Sequence, residues 1–94
     1  MASKVVSDTG PLIHLAEINL IKVLDAFQEV GVAQEVINEL KRNKVKDSVF
    51  KEIKLIHLKP KFKDIAEILV NKFSLDLGES QSIALALQEK VTYI

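Results

Sequence analysis

The sequence predicts an α/β fold with a small, mostly parallel β-sheet. Short apolar runs with strand character alternate along the chain with segments in which apolar residues recur at helical spacing. The first two units repeat the same order, a strand followed by a helix. Because strands that alternate with helices are typical of parallel sheets with right-handed crossovers, this order indicates the α/β class.

The first predicted strand contains the valine pair Val5–Val6 and ends at Asp8. β-branched residues suit a buried strand, whereas the polar and Gly-Pro residues that follow do not. Proline favours the first turn of a helix, so we expect Thr9 or Gly10 to be the N-cap of a helix that contains Pro11. Asp8 is thus placed at the carboxyl end of a strand, where ligands bind in open parallel sheets. The alternative is that its carboxylate only caps the helix or a turn.

The remaining elements follow from the same patterns of apolar spacing and turn residues. In chain order we predict helices over Leu12–Ala16 and Leu20–Phe27, with Asn19 as the cap of the second, a strand at Glu29–Val32, a helix over Gln34–Arg42, a loop at Asn43–Ser48 leading into a short helix around Val49–Ile53, a strand at Leu55–Lys59, helices over Phe62–Phe73 and Glu79–Glu89, and a strand at Val91–Ile94. The last helix is apolar on most sides, which indicates burial on more than one face.

Composition limits the classes of protein to consider. The 94 residues suffice for one small domain, and the formal net charge is zero, so the chain as a whole is not attracted to nucleic acid. The absence of cysteine excludes disulfides and thiolate zinc sites and fits a reducing compartment. No apolar run approaches the length of a membrane span and no signal peptide is evident, so we expect a cytoplasmic protein without a membrane partner.

Three acidic residues stand out by their positions. Asp8 closes the first strand, Glu39 lies on the helix after the second strand, and Glu79 begins the helix before the last strand. All three could converge at one end of the sheet, where a divalent cation would offset their repulsion, and oxygen-only ligands favour magnesium or manganese over zinc. Taken singly, Glu39 could be a solvated helix residue, and Glu79 could serve only the helix dipole. Asp76 is a further candidate, with the alternative that it is a turn residue capping the same helix.

The polar residues beside Asp8 could support a metal site. Ser7 and Thr9 flank Asp8 and could hold a metal-bound water or the carboxylate itself by hydrogen bonds, although capping is the simpler account of Thr9. His14 and His57 lack partners at ligand spacing. The sequence contains no serine–histidine–acid arrangement, phosphate-binding glycine loop or dinucleotide fingerprint.

Basic residues cluster in the middle of the chain. They are Lys41, Arg42, Lys44, Lys46, Lys51, Lys54, Lys59, Lys61 and Lys63. Such a run could hold a phosphate backbone against a metal site, but most runs of this kind are solvated faces. The aromatic residues are not interleaved with it, so no base stacking is indicated.

Three segments together resemble the motifs of the PIN-domain family of metal-dependent ribonucleases. Val5–Ala16 is similar to the first acidic motif, Val36–Leu40 to the second, and Leu75–Ala86, with its glycine–glutamate pair, to the third. They occur in the family's order and approximate spacing and span the chain from end to end. The resemblance implies a three-layer α/β/α domain.

By this resemblance, Asp8, Glu39 and Glu79 would be the catalytic, metal-binding acids and Mg²⁺ or Mn²⁺ the cofactor. The substrate would be single-stranded RNA, whose phosphodiester bonds would be hydrolysed by a metal-activated water without a protein nucleophile. The family includes the toxins of many prokaryotic toxin–antitoxin pairs, so an antitoxin protein is an expected partner.

The sequence departs from the family pattern at two places. Gln81 stands where relatives often carry a further acid. Relatives also continue beyond the strand that matches Val91–Ile94 with a threonine–aspartate motif, a closing helix and often a fifth strand. A fourth acid is therefore not carried over, and we expect the last elements of the fold to be missing. An open sheet edge or face of this kind favours self-association, so a homo-oligomer is expected.

Two alternatives to a ribonuclease are considered. One is a catalytically deficient PIN-like remnant that acts by binding a partner protein or itself. The other is a phosphoacceptor domain that uses Asp8. It is disfavoured because such folds carry an adjacent acidic pair near the N-terminus and a lysine after a late strand, and the sequence has neither feature.

Overall fold

The computed structural model describes residues 3–94, in which short parallel strands alternate with helices. The strands are β1 (Val5–Val6), β2 (Val30–Val32), β3 (Lys54–Leu55) and β4 (Thr92–Tyr93). The helices are α1 (Thr9–Glu17), α2 (Gln34–Arg42), α3 (Asp47–Phe50), α4 (Pro60–Phe73) and α5 (Leu77–Glu89), and a 3-10 helix covers Ile21–Ala26. The predicted α/β class is confirmed. None of the helices within residues 3–94 combines the length and the apolar character needed to cross a membrane.

The strands form one sheet in the order β3-β2-β1-β4, and each pair of neighbours is parallel. β1 lies inside the sheet, with Val6 in register with Gly31 of β2 on one side and with Tyr93 of β4 on the other. The predicted parallel sheet is therefore confirmed. Because parallel strands all end at the same edge, the residues that follow β1 and β2 leave the sheet side by side.

Side chains of the central strands alternate between the two faces of the sheet. Val5 faces a larger apolar cluster shared with α1, α2, α3 and the 3-10 helix, whose buried members are Val5, Leu12, Leu24, Val30, Val32, Val36, Leu40 and Val49. Val6 belongs to a smaller cluster, whose buried members are Val6, Ala33, Leu85 and Ala86. α5 covers this second face, and α4 packs against α5. The arrangement is the three-layer α/β/α type implied by the motifs.

Four helices begin earlier than the sequence predicts: α3 begins at Asp47, α4 begins at Pro60, and α1 and α5 begin directly after capping aspartates. The N-cap of α1 is Asp8 and not one of the two residues after it, because the Asp8 carboxylate accepts a hydrogen bond from the Thr9 amide at 2.7 Å. α5 begins at Leu77, because the Asp76 carboxylate caps it by accepting a hydrogen bond from the Glu79 amide at 2.7 Å. The interpretation of Asp76 as a capping residue therefore agrees with the structure.

Two other segments differ from the sequence-based prediction. The expected second α-helix, Leu20–Phe27, is a 3-10 helix, and Asn19 does not cap it but takes a left-handed backbone with φ of 60°. β3 is shorter than the predicted strand Leu55–Lys59. The amide of Ile56 still donates to the carbonyl of Val32 in β2 at 3.0 Å, but the amide of Lys59 donates to the side chain of Gln88 on α5 at 2.7 Å. The contact of Lys59 with α5 is a tertiary one that local apolar spacing does not report.

Candidate metal centre

Asp8 lies at the carboxyl end of β1, where the chain enters α1. Its Oδ1 accepts a hydrogen bond from the backbone N–H of Thr9 at 2.7 Å, and its Oδ2 accepts one from the hydroxyl of Tyr93 at 3.2 Å. The residue is half-buried. Asp8 caps the helix and also presents a carboxylate at the edge of the sheet, so the two roles considered for it are compatible.

Glu39 lies on α2 and faces the start of α1. Its Oε1 accepts a hydrogen bond from the hydroxyl of Thr9 at 2.6 Å, the short distance expected for a hydroxyl that donates to a carboxylate. Thr9 is only 7% exposed, so competing water is largely excluded from this contact. The bond holds Glu39 beside the residue that directly follows Asp8.

Gly78 gives the Glu39 carboxylate room at the first turn of α5. A Cβ atom at this buried position would overlap Oε1 of Glu39, so the lack of a side chain permits the close approach. The negative charge of Glu39 therefore lies beside the N-terminal turns of both α1 and α5. The unpaired amides and the helix dipoles of these turns favour a carboxylate.

Glu79 follows Gly78 in the first turn of α5 and is half-buried. The pKa of the Tyr93 hydroxyl lies well above its ordinary value. Burial is the largest cause, and the negative charges of Asp8, Glu79 and Asp76 add to it. The Tyr93 hydroxyl therefore stays protonated and able to donate its hydrogen bond to Asp8.

The predicted ligands Asp8, Glu39 and Glu79 thus lie at the same end of the sheet. All of their donor atoms are oxygens, which fits a hard cation such as Mg²⁺. Within residues 3–94, however, no three His, Cys, Asp or Glu side chains are already grouped so that they could hold a metal ion. The residues fit a metal by their chemistry, and the side chains would have to turn toward one another to bind it.

Sequence comparison decides the family. A sequence profile described as a PIN domain matches residues 4–94 of the chain. The chain belongs to the PIN-domain family. The resemblance carried by the three acidic motifs is thereby confirmed. Comparison with curated protein sequences gives no significant match.

The PIN domain is also similar to a solved structure. One chain of a structure titled "Toxin-antitoxin complex from Klebsiella pneumoniae" superimposes on it with a TM-score of 0.70 at 15% sequence identity. The alignment covers 95% of this chain and 82% of the other. At this level of identity, the similarity shows a common fold and does not by itself show a common activity.

The two polar residues that flank Asp8 have different roles in the PIN domain. The hydroxyl of buried Ser7 donates to the backbone carbonyl of Asp8 at 2.8 Å and not to its carboxylate. Thr9 contacts both neighbouring acids, since its amide donates to Asp8 and its hydroxyl donates to Glu39. Ser7 therefore fixes the backbone at the end of β1, whereas Thr9 orients carboxylates.

Gln81 points away from the acids. Its Oε1 accepts a hydrogen bond from the backbone N–H of Glu35, in the first turn of α2, at 3.0 Å. The N-cap of α2 is Ala33, which has no side-chain acceptor, so Gln81 supplies the missing cap from another helix. At about 100° per residue, Gln81 and Glu79 lie on opposite sides of α5. The residue that departs from the family pattern thus joins α2 to α5.

Sequence reasoning missed Tyr93 and the capping role of Gln81. The strand composition of Val91–Ile94 predicts a strand but not its partner. Tyr93 reaches Asp8 only because β4 pairs with β1, which sets Tyr93 opposite Val6. No local signal identifies this pairing, so only the tertiary structure could reveal the contact.

The basic residues of the middle of the chain are spread over separate surfaces. Arg42 pairs with Glu35 at 2.7 Å. Lys44 lines a depression beside the end of α1, whereas Lys63 lines another between α4 and α5. Lys44 and Lys63 therefore lie on different surfaces and not in one patch, which favours the interpretation that these residues are solvated surface.

Proposed function

We propose that this PIN domain is a metal-dependent endoribonuclease that hydrolyses phosphodiester bonds in single-stranded RNA. The observation that carries the proposal is the position of the Glu39 carboxylate. Thr9 holds it beside Asp8. The absence of a side chain at Gly78 lets it approach the turn that carries Glu79. Carboxylates from three distant segments at one end of a parallel sheet suit a divalent cation and, through the cation, a phosphate.

In this proposal Asp8, Glu39 and Glu79 hold Mg²⁺ or Mn²⁺. The bound ion would lower the pKa of a water molecule and offset the charge that grows on the phosphate during hydrolysis. Thr9 orients two of the acids, and Ser7 fixes the backbone between them and β1. The N-terminal turns of α1 and α5 contribute partial positive charge at the same end of the sheet. No protein nucleophile is required.

The proposal extends to a partner. We infer that the domain is a toxin whose activity is controlled by an antitoxin protein in the cytoplasm. Support comes from the family and from the shared fold with a chain of the Klebsiella pneumoniae toxin–antitoxin complex. A nuclease that cuts cellular RNA must be inhibited when it is not needed, and a tightly bound protein supplies that inhibition by mass action.

A second candidate function is binding without catalysis. It is favoured by the observation that no three potential ligands within the described residues are already grouped to hold an ion. Leu87 on α5 is 55% exposed, and Tyr93 and Ile94 at the β4 edge are also exposed. Apolar residues along an edge strand suit contact with a partner protein or with a second copy of the chain. This candidate predicts binding to a partner protein or to a second copy of the chain, without RNA cleavage.

Metal binding and RNA cleavage test the proposed function directly. Mn²⁺ binding is measured by calorimetry, and cleavage of a single-stranded RNA is measured for the wild type, Asp8→Asn and Asp64→Asn. Asp64 is an exposed acid on α4, so its variant matches the change of charge away from the candidate centre. We expect the wild type and Asp64→Asn to bind Mn²⁺ and cut RNA, and Asp8→Asn to lose most of both.

Two outcomes would contradict the proposal. One is a wild type that neither binds Mn²⁺ nor cuts RNA, and the other is cleavage that persists unchanged in Asp8→Asn. The first outcome favours the binding candidate, which is then tested by measuring the oligomeric state with analytical ultracentrifugation. The second outcome would show that the cleavage does not depend on the Asp8 carboxylate.

A further inference from the structure

Tyr93 is held in place by the pairing of β4 with β1. Tyr93 is in register with Val6. The next residue, Ile94, makes one backbone hydrogen bond to β1 and one to Asp8, just beyond the end of β1. The amide of Ile94 donates to the carbonyl of Val6 at 2.8 Å, and the amide of Asp8 donates to the carbonyl of Ile94 at 3.1 Å. The ladder therefore fixes the backbone of Tyr93 beside Val6, two residues before Asp8.

The Tyr93 hydroxyl completes a two-sided contact with the Asp8 carboxylate. It donates to Oδ2 at 3.2 Å, while the Thr9 amide donates to Oδ1 at 2.7 Å. Each carboxylate oxygen is thus fixed by a donor from a different element, β4 on one side and α1 on the other. An ionised carboxylate offers about four lone-pair sites, so two remain open to a cation after both hydrogen bonds are made.

We propose that Tyr93 is a positioning residue that orients the Asp8 carboxylate for binding of a divalent cation. The binding of a cation rests on the proposed function, whereas the hydrogen bond from Tyr93 to Asp8 does not. Hydrogen bonds from outer residues to metal-binding carboxylates hold the ligand in place, and their loss lowers metal affinity by about 10–100-fold. Within residues 3–94, Tyr93 is the side chain that donates a hydrogen bond to Asp8 from a neighbouring strand.

The composition of the chain provides a direct readout of the contact. Tyr93 is the one tyrosine and the chain has no tryptophan. Apart from the weak emission of phenylalanine, the intrinsic fluorescence of the protein therefore comes from Tyr93 alone. A carboxylate that accepts a hydrogen bond from a tyrosine hydroxyl quenches tyrosine emission. In metal-free buffer we therefore expect higher emission from Asp8→Asn than from the wild type, and unchanged emission from the matched control Asp64→Asn. Equal emission from Asp8→Asn and the wild type would overturn the proposal, whatever the metal does.

The second measurement is Mn²⁺ affinity in the wild type and in Tyr93→Phe. This substitution removes only the hydroxyl, and because Tyr93 is 37% exposed it leaves the ring packing largely intact. We expect Tyr93→Phe to keep the wild-type circular dichroism spectrum and melting temperature within about 2 °C but to bind Mn²⁺ about 10-fold more weakly. Ser48→Ala, at an exposed position on α3, is the control for loss of a surface hydroxyl and should bind as the wild type does.

The outcomes separate the two proposals. Equal Mn²⁺ affinity in the wild type and Tyr93→Phe overturns the positioning role and leaves the nuclease proposal standing. A wild type that binds no Mn²⁺ overturns the nuclease proposal, and with it the purpose assigned to Tyr93, even if the fluorescence confirms the contact. Weaker Mn²⁺ binding in Tyr93→Phe together with brighter emission in Asp8→Asn supports the positioning role.

Discussion

The two faces of the sheet are packed in different ways. α1, α2, α3 and the 3-10 helix cover one face, and each of them contributes a buried side chain to the larger cluster. α5 covers the other face through the smaller cluster, in which two of the four buried residues are alanines. Large side chains fill the first face, whereas small ones let a helix approach the second face closely.

α5 differs from the other helices because it is buried on several sides. It contacts β1, β4, α2 and α4. Its buried residues are Gly78, Ser80, Ser82, Ala84, Leu85 and Ala86. Small and polar residues contribute little apolar area, so the first face should supply most of the stability. The close approach of α5 instead brings its first turn to Glu39. The first face therefore supplies most of the stability, whereas the candidate centre forms where α5 meets α1 and α2.

The largest expected effect is on the face with the larger cluster. Leu40 is fully buried on α2, so Leu40→Ala leaves a cavity and should lower the free energy of unfolding by about 2–5 kcal/mol. Leu87→Ala deletes the same atoms from α5, where Leu87 is 55% exposed, and should cost about 1 kcal/mol or less. Urea unfolding followed by circular dichroism measures both. Losses of equal size in the two variants would contradict a larger contribution of the first face to stability.

A smaller effect is expected where α5 meets Glu39. In Gly78→Ala the added methyl group displaces the Glu39 carboxylate from Thr9, at an expected cost of about 1–3 kcal/mol in stability. Gly10→Ala is the matched control, because a Cβ at Gly10 meets no atom within 4 Å and alanine favours a helix by up to about 1 kcal/mol. Thermal unfolding of the two variants should therefore shift in opposite directions. Mn²⁺ binding should weaken only in Gly78→Ala.

Two buried serines of α5 should respond with opposite signs. Within residues 3–94 the hydroxyl of Ser80 has no hydrogen-bond partner, so Ser80→Ala removes an unsatisfied polar atom and should stabilise the fold by about 1 kcal/mol. The hydroxyl of Ser82 donates to the carbonyl of Gly78 at 2.7 Å, so Ser82→Ala should cost about 0.5–1 kcal/mol. Chemical denaturation of the two variants tests whether the unpaired hydroxyl of Ser80 lowers the free energy of unfolding. A destabilised Ser80→Ala would indicate that the hydroxyl has a function.

The smallest expected effect is a pH-dependent change in stability at Glu35 on α2. A hydrogen bond from Arg42 lowers the pKa of Glu35 below its ordinary value of 4.5, and one from Asn38 assists, while burial opposes the change. A lowered pKa contributes stability that is present above pH 4.5 and is lost as the pH falls through the folded-state value. Glu35→Gln should therefore cost about 0.5 kcal/mol at neutral pH and nothing at strongly acidic pH. Urea midpoints measured across this range check the trend, and a constant difference would contradict it.

The sequence predicted helices best where apolar spacing and burial agree. α2 begins at Gln34 and ends at Arg42, as predicted, and its fully buried residues Val36 and Leu40 are one helical turn apart. The segment after Asn19 has similar spacing but forms a 3-10 helix, because a short apolar run suits either helix and tertiary packing decides between them.

The candidate centre was predictable only in part. The position of Asp8 follows from the end of a strand, which the valines and the Gly-Pro pair indicate. The bond from Thr9 to Glu39 and the fit of Gly78 depend on how three helices pack, and neither leaves a signature in local sequence. The binding of a metal by Asp8, Glu39 and Glu79 stays a prediction. Its test is the titration described above.

The order of the strands also sets when the centre can form during synthesis. β1 is first in the chain, yet it lies between β2 and β4, and the contact from Asp8 to Tyr93 spans 85 positions. The N-terminus leaves the ribosome first, so the edge of β1 that pairs with β4 stays unpaired until β4 has been translated. The nascent polypeptide therefore carries Asp8 through the synthesis of β2, β3 and the helices between them without the hydroxyl that fixes its carboxylate.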